Sequence, residues 1–302
     1  MKIVTYASVP ILALYLGLFF YKYNSSFNKE EFFEKLPKLE SKEVIEEETK
    51  KQVDETLENY IVGVVACEMP ASFNEEALKA QAVAARSFAY YKMKKENFNE
   101  ANLVTSTDQC YINDDAMKEK WGSTYNKYKT IVTNAVKNTE GIIIKKNNDL
   151  FKTYYFSTSN GYTENGMTVF KSNDITSVSS PWDTGTSGYK RDTTFTKQEL
   201  IEKLGEFTTI DILSRNKTNH VEKVQVGSKT YTGIEFRKLL GLRSTDFSVS
   251  IDGDNITITT FGYGHGVGMS QSGANELAKM SKDYKYILSY YYNTDEFANI
   301  YV

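Results

Sequence analysis

Residues 58–92 read ENYIVGVVACEMPASFNEEALKAQAVAARSFAYYK, and two helices can be traced through them. Leu57, Ile61, Val64, Val65 and Glu68 recur at the spacing of one helical face. Pro70 ends that helix, since proline lacks an N–H and clashes with the preceding turn. A second helix is predicted over 75–95: Ser72 with Glu75 makes a capping box, Glu75 and Glu76 lie at its positive end, and Lys92, Lys94 and Lys95 lie at its negative end. Leu78, Ala82, Ala85 and Ala89 form its buried face, small enough for close packing. Glu68 thus ends an apolar stripe, where partial desolvation raises a carboxyl towards the pKa of a usable general acid. The bland alternative for it is an ion pair with Arg86 on the next helix.

Downstream, the pattern shifts towards alternation. Strands are predicted at Ile142 to Lys145, Lys152 to Ser157, Val221 to Val226 and Asn255 to Phe261, with turns such as Asp252-Gly253 between them. Helical pieces are expected at Lys127 to Lys137, Lys197 to Leu204, Gly233 to Leu240 and Gln271 to Met280. The fold class is α+β, one mixed helix/strand domain over 53–302.

Upstream lie two different segments. From Ile3 to Tyr21 no residue is charged, and the run ends in Phe19, Phe20, Tyr21 and Lys22 rather than in small residues. It reads as an uncleaved, single-pass membrane anchor over 1–21 with the body on the extracytoplasmic side. Residues 22–52 are dense in Glu and Lys and read as a charged, solvated stalk. The 302 residues carry a net charge of only −3, so no positive field holds a polyanion, and nucleic acid is not an expected partner.

Two cysteines, Cys67 and Cys110, are too few for a disulfide framework or a zinc cage. One bridge outside the cytoplasm is open to them, although a lone pair more often means two buried thiols. In GYGHGVGMSQSGA (262–274) the glycines allow close backbone approach, and His265 and Gln271 supply polar groups at a helix entrance, as in a substrate cradle. Ser159 and Tyr162 offer a hydroxyl and a stacking ring to a sugar, and His220, in a polar segment, reads as surface.

The stretch 58–92 resembles the signature of the stage II sporulation protein D (SpoIID/LytB) family. FSTSNGYTEN (156–165), SSPWD (179–183), YTGIEFRKLLGLRSTDF (231–247) and the 262–274 block are similar to later family blocks in the same order. The resemblance implies a lytic transglycosylase of engulfment in sporulation, acting on peptidoglycan glycan strands stripped of stem peptides. It also implies a partner amidase or endopeptidase and a membrane scaffold. The glutamate before Met-Pro, Glu68, is then catalytic, and Arg86, Ser159, Tyr162, His265 and Gln271 are candidate substrate contacts. Some relatives hold zinc on Cys and His in similar loops, where this chain has Ser159 and Tyr162. No soft-ligand set is found, and no metal is expected to be required. Ser272 stands where the family usually has an aromatic residue.

A classical glycosidase needs two carboxylates, but one acid suffices if the substrate supplies the second participant. A rival from another class is a non-catalytic glycan-binding protein that recruits or stimulates an amidase. A thiol hydrolase built on Cys110 and His265 would need a base beside a thiol, and nothing in the sequence places one there.

Overall fold

The break at Met69-Pro70 separates two helices that carry the first of two cores. The computed structural model describes residues 57–302; the expected anchor and stalk lie outside the described residues. No described helix is long and apolar enough to cross a membrane. α1 is helical over 57–68, and α2 spans Glu75–Lys95. Ile61, Val64 and Val65 on one, and Leu78, Ala82, Ala85 and Ala89 on the other, have no exposed surface. The α2 cap is Asn74 rather than the expected Ser72. A tight turn from Pro70 to Phe73 delays the helix start, and the Asn74 side chain accepts the Glu76 N–H at 3.0 Å. Its own N–H donates to Asn275 Oδ1 at 2.8 Å.

The first lobe continues through α3 (Glu100–Thr105), α4 (Asp114–Trp121), α5 (Tyr125–Lys137), β1 (Ile142–Lys145), β2 (Tyr155–Phe156) and the single turn α6 (Gly166–Val169). The expected strand from Lys152 to Ser157 contracts to β2, because a tight turn joins the Tyr154 N–H to the Lys152 carbonyl. The chain then enters a second lobe: β3 (Lys190–Thr196), α7 (Lys197–Leu204), β4 (Ile210–Arg215), β5 (Val221–Val226), β6 (Lys229–Thr232), α8 (Gly233–Leu240), β7 (Phe247–Asp252) and β8 (Asn255–Phe261). It returns to the first lobe with β9 (Met269–Ser270), α9 (Gln271–Lys279), α10 (Tyr284–Tyr292) and β10 (Glu296–Asn299).

Strand order makes the division plain. In the second lobe β3-β8-β7 and β4-β5-β6 form two antiparallel sheets, packed around a core that includes Leu200, Val224, Phe236, Phe247, Ile256 and Ile258. Ile256, Ile258 and Thr260 point inward at the period of two that a one-sided strand requires. In the first lobe β1 pairs antiparallel with β10, and β2 pairs parallel with β9. Its core joins α1, α2 and α5 to α9 and α10. The mixed α+β class expected from the sequence is what is found, and its buried apolar residues fall into two clusters.

Arg86 on α2 is fully buried. Its guanidinium makes two bonds to the Glu58 carboxylate, 2.7 and 2.6 Å, and one to the Ile142 carbonyl at 3.0 Å. The ion pair with Glu68 is therefore not formed. Arg86 fastens α1, α2 and β1 together from inside and presents nothing to a ligand.

Candidate active site

Glu68 is the last residue of α1 and lies at the lip of a cavity of about 460 Å³. Lys120, Trp121, Tyr128, Ser157, Gln271 and Ser272 line the same cavity, so four separate stretches of chain converge there. Glu68 is the one carboxylate lining it among the described residues. Trp121 and Tyr128 meet edge to face at 5.9 Å and give one wall an aromatic surface suited to sugar rings.

The carboxyl is held from two sides. Cys110 donates its backbone N–H to Glu68 Oε1 at 2.7 Å, and the Tyr155 hydroxyl is a second hydrogen-bond partner. Burial raises the Glu68 pKa above the ordinary value, while the Cys110 N–H, the Lys120 charge and the Tyr155 hydroxyl oppose that rise. Lys120 is fixed by donating to the carbonyls of Ala66 at 2.8 Å and Cys67 at 3.2 Å, the exposed acceptors at the end of α1.

Cys67 and Cys110 are joined by a disulfide, which corrects the reading of two buried thiols. The bridge ties the 106–113 loop to the residue next to Glu68 and so delivers the Cys110 N–H. Gly63 makes the seat for that loop: a Cβ there would run into the Tyr111 ring and the Ile112 carbonyl. Behind the carboxyl, Gln109 fixes the direction of a chain of hydrogen bonds. Its amide nitrogen donates to the Ala85 carbonyl and to the Tyr155 oxygen, and its amide oxygen accepts from Tyr60. The Tyr155 proton is thereby left for Glu68.

The 262–274 block performs as a close-approach loop. Gly262, Gly264, Gly266 and Gly268 all have positive φ, and a Cβ at Gly268 would overlap the Tyr154 carbonyl. At its end Gln271 reaches the Glu68 cavity and donates its amide to Gln81 Oε1 at 3.2 Å. Ser272, the departure from the family pattern, shares a 2.8 Å hydroxyl contact with Thr158.

Of the remaining candidates, His265 shares with Glu68 the small cavity behind it, and the others lie elsewhere. His265 accepts from the Val267 N–H at Nδ1 and is also bonded to the Tyr155 backbone. It packs against Tyr154, Phe156 and Phe170, and burial pushes its pKa down to about 4. It braces the loop as a neutral ring. Ser159 is buried and donates to Asp183 Oδ2 at 2.8 Å; Ser180 and Ser270 also donate to that carboxylate. Tyr162 is 51% exposed but is not part of the Glu68 cavity wall. His220, read as surface, is buried, with its Nε2 3.7 Å from Glu164 Oε1. Tyr155, Lys120 and the Cys110 N–H were not singled out by sequence reasoning. No local pattern marks them, because they meet Glu68 only through the tertiary fold.

The donor set does not suit zinc. Both thiols are spent on each other, Ser159 serves Asp183, and no cluster of three His, Cys, Asp or Glu side chains able to hold a metal occurs among the described residues.

Comparison with known proteins places this geometry in context. Residues 45–145 match a family model described as stage II sporulation protein. Stage II sporulation protein D of Bacillus subtilis (strain 168) is 42% identical, over 82% of this chain and 77% of that protein. Stage II sporulation protein D of Bacillus amyloliquefaciens is 41% identical, over 78% and 72% respectively. A more distant match, at 29% identity over 76% of this chain and 39% of the other, is the amidase enhancer of Bacillus subtilis (strain 168).

Proposed function

Since this chain belongs to the stage II sporulation protein D family, we propose that it is a membrane-anchored lytic transglycosylase that cuts peptide-stripped glycan strands during engulfment. The observation that carries the reading is the setting of Glu68: a carboxyl raised by burial, bonded by one N–H and one hydroxyl, alone among carboxylates on the wall of its cavity. Asp108, in the smaller cavity behind it, is committed to an ion pair with Lys92, which holds it below the usual carboxylate range.

The chemistry then needs one residue. Protonated Glu68 gives its proton to the glycosidic oxygen as the bond from the muramic acid C1 breaks. The sugar's own N-acetyl oxygen stabilises the cationic C1. Glu68, now a carboxylate, takes the proton of the C6 hydroxyl, and that oxygen closes on C1. The product ends in a 1,6-anhydro ring and no water is consumed.

Glu68→Gln keeps shape and bonding atoms but cannot exchange the proton. Cutting is expected to fall by at least about 100-fold, with binding retained. Mass spectrometry of wild-type products decides the class: ends carrying an added water would defeat the single-acid reading. The match to an amidase enhancer supports a second reading, a glycan-binding protein that stimulates a partner amidase. Intact strands after incubation with the wild-type chain, together with faster release of stem peptides by an amidase, would favour it.

A further inference from the structure

We propose that a cation-lined groove on the second lobe is a binding subsite for a carboxylate of the glycan strand. The groove is a cavity of about 620 Å³, and Arg191, Arg237, Lys238 and Arg243 line it with Ile234 and Tyr263. Among the described residues no Asp or Glu lines it. Among the described residues none of the four cations is in an ion pair. Asp192, the acid next to Arg191 on β3, projects to the other side of the strand and accepts the Thr259 hydroxyl at 2.6 Å.

Lone surface cations usually belong to a solvated face, and two observations argue against that here. Arg237 is half-buried, and burial depresses its pKa without any carboxylate to offset the cost. Both Arg237 and Arg243 are also held in place: Arg237 Nε donates to the Leu242 carbonyl at 3.2 Å, and the Arg243 guanidinium lies 4.8 Å over the Tyr263 ring. Gathering like charges costs free energy unless an anion joins them.

Shared lining residues link the groove, step by step, to the cavities around Glu68. Ile234 and Arg237 also line the neighbouring cavity, that cavity shares His265 with the small one behind Glu68, and Glu68 lines both the small cavity and the main one. Tyr263 exchanges two backbone bonds with Thr158, of 3.0 and 2.7 Å, and Ser157 next to it lines the Glu68 cavity. The proposed subsite requires that a strand bound at Glu68 continue towards the cations. The choice of ligand rests on the glycan reading; the anion site does not. Removing a stem peptide by cutting its amide leaves a free lactyl carboxylate on the muramic acid, where an intact strand has a neutral amide. Arginine forks take a carboxylate through paired bonds, and Tyr263 and Ile234, 44% and 49% exposed, offer faces to the sugar.

The test measures binding and cutting by the full-length chain on peptide-stripped strands and on the same strands with their carboxylates capped as neutral methylamides. Capping is expected to weaken binding about tenfold, as loss of a charge-assisted contact does. The double variant R191Q/K238Q is expected to show the same loss on uncapped strands and no further loss on capped ones. Capping alters only the ligand, so that arm stands even if the variant fails to fold. Equal binding of capped and uncapped strands by the wild type would overturn the proposal. So would a folded double variant that still tells them apart. Tighter binding of a glycerol-phosphate polymer, lost in the double variant while discrimination between strands persists, would reassign the groove to phosphate. Strands cut equally well whether capped or not would sink the groove and spare the activity, whereas strands discriminated but left uncut would sink the activity and spare the groove.

Discussion

The backbone N–H of Cys110 donates to Glu68 Oε1 at 2.7 Å, and Cys110 is bridged to Cys67, the residue preceding Glu68 in the chain. The acid and the group that orients it are thus covalently linked across 43 residues of sequence. Replacing both cysteines by serine is expected to lower stability by about 4 kcal/mol from loop entropy alone and cutting by about tenfold. Thermal unfolding and a rate assay below the variant's transition check this. Full activity in the folded variant would show that the loop keeps its place unaided.

Tyr155 bears on the pH profile. Its hydroxyl lowers the Glu68 pKa against the larger effect of burial, so Tyr155→Phe leaves the carboxyl with less to offset burial and the pKa higher. Activity that begins from protonated Glu68 falls as pH rises through that pKa. In Tyr155→Phe the fall is expected at higher pH, with the maximal rate down about tenfold from poorer orientation. A shift to lower pH would contradict the hydrogen bond.

Dialysis against a strong chelator is expected to leave cutting unchanged, because the thiols are paired and Ser159 serves Asp183. Loss of activity that zinc restores would show a ligand set assembled from other donors.

Glu164 predicts a pH-dependent stability. Burial pushes its pKa up to about 7, although Asn216 donates to it. A raised folded pKa means that its contribution is fully present below the unfolded value of 4.5 and is lost as pH rises through about 7. Glu164→Gln removes the cost of the buried charge. The variant is expected to be more stable than wild type by about 1–2 kcal/mol at pH 8, with the advantage gone below pH 4.5. An advantage that grows on acidification would refute the assignment.

Much of the frame was readable from local signals. The faces of α1 and α2, the stop at Pro70, α7, α8 and β8 all follow from periodicity and breakers that act within a few residues. α10 was not expected, since its tyrosine-rich run YKYILSYYY favours strand by propensity. Its helix is secured by the Asp283 cap, whose side chain accepts the Tyr286 N–H at 2.8 Å, and by the burial of Ile287, Leu288, Tyr291 and Tyr292. Glu68 could be singled out as a candidate because it ends the apolar face of its own helix. Its partners could not, because Cys110, Lys120 and Tyr155 reach it from separate segments. Arg86 misled for the converse reason: a polar side chain near a functional motif was committed to a buried ion pair.

Lys190 and Phe261, where the second lobe begins and ends, are paired residues on adjacent strands. Residues 190–261 therefore leave the first lobe and re-enter it at neighbouring points, like a cassette on a two-stranded handle. Everything that encloses the second core lies between those points, so the parent lobe experiences the insert as one long loop whose closure cost grows only with the logarithm of its length. The cassette could lengthen, shorten or be exchanged while the geometry at Glu68 stays fixed, which leaves the reach of the molecule along its ligand free to change independently of its chemistry.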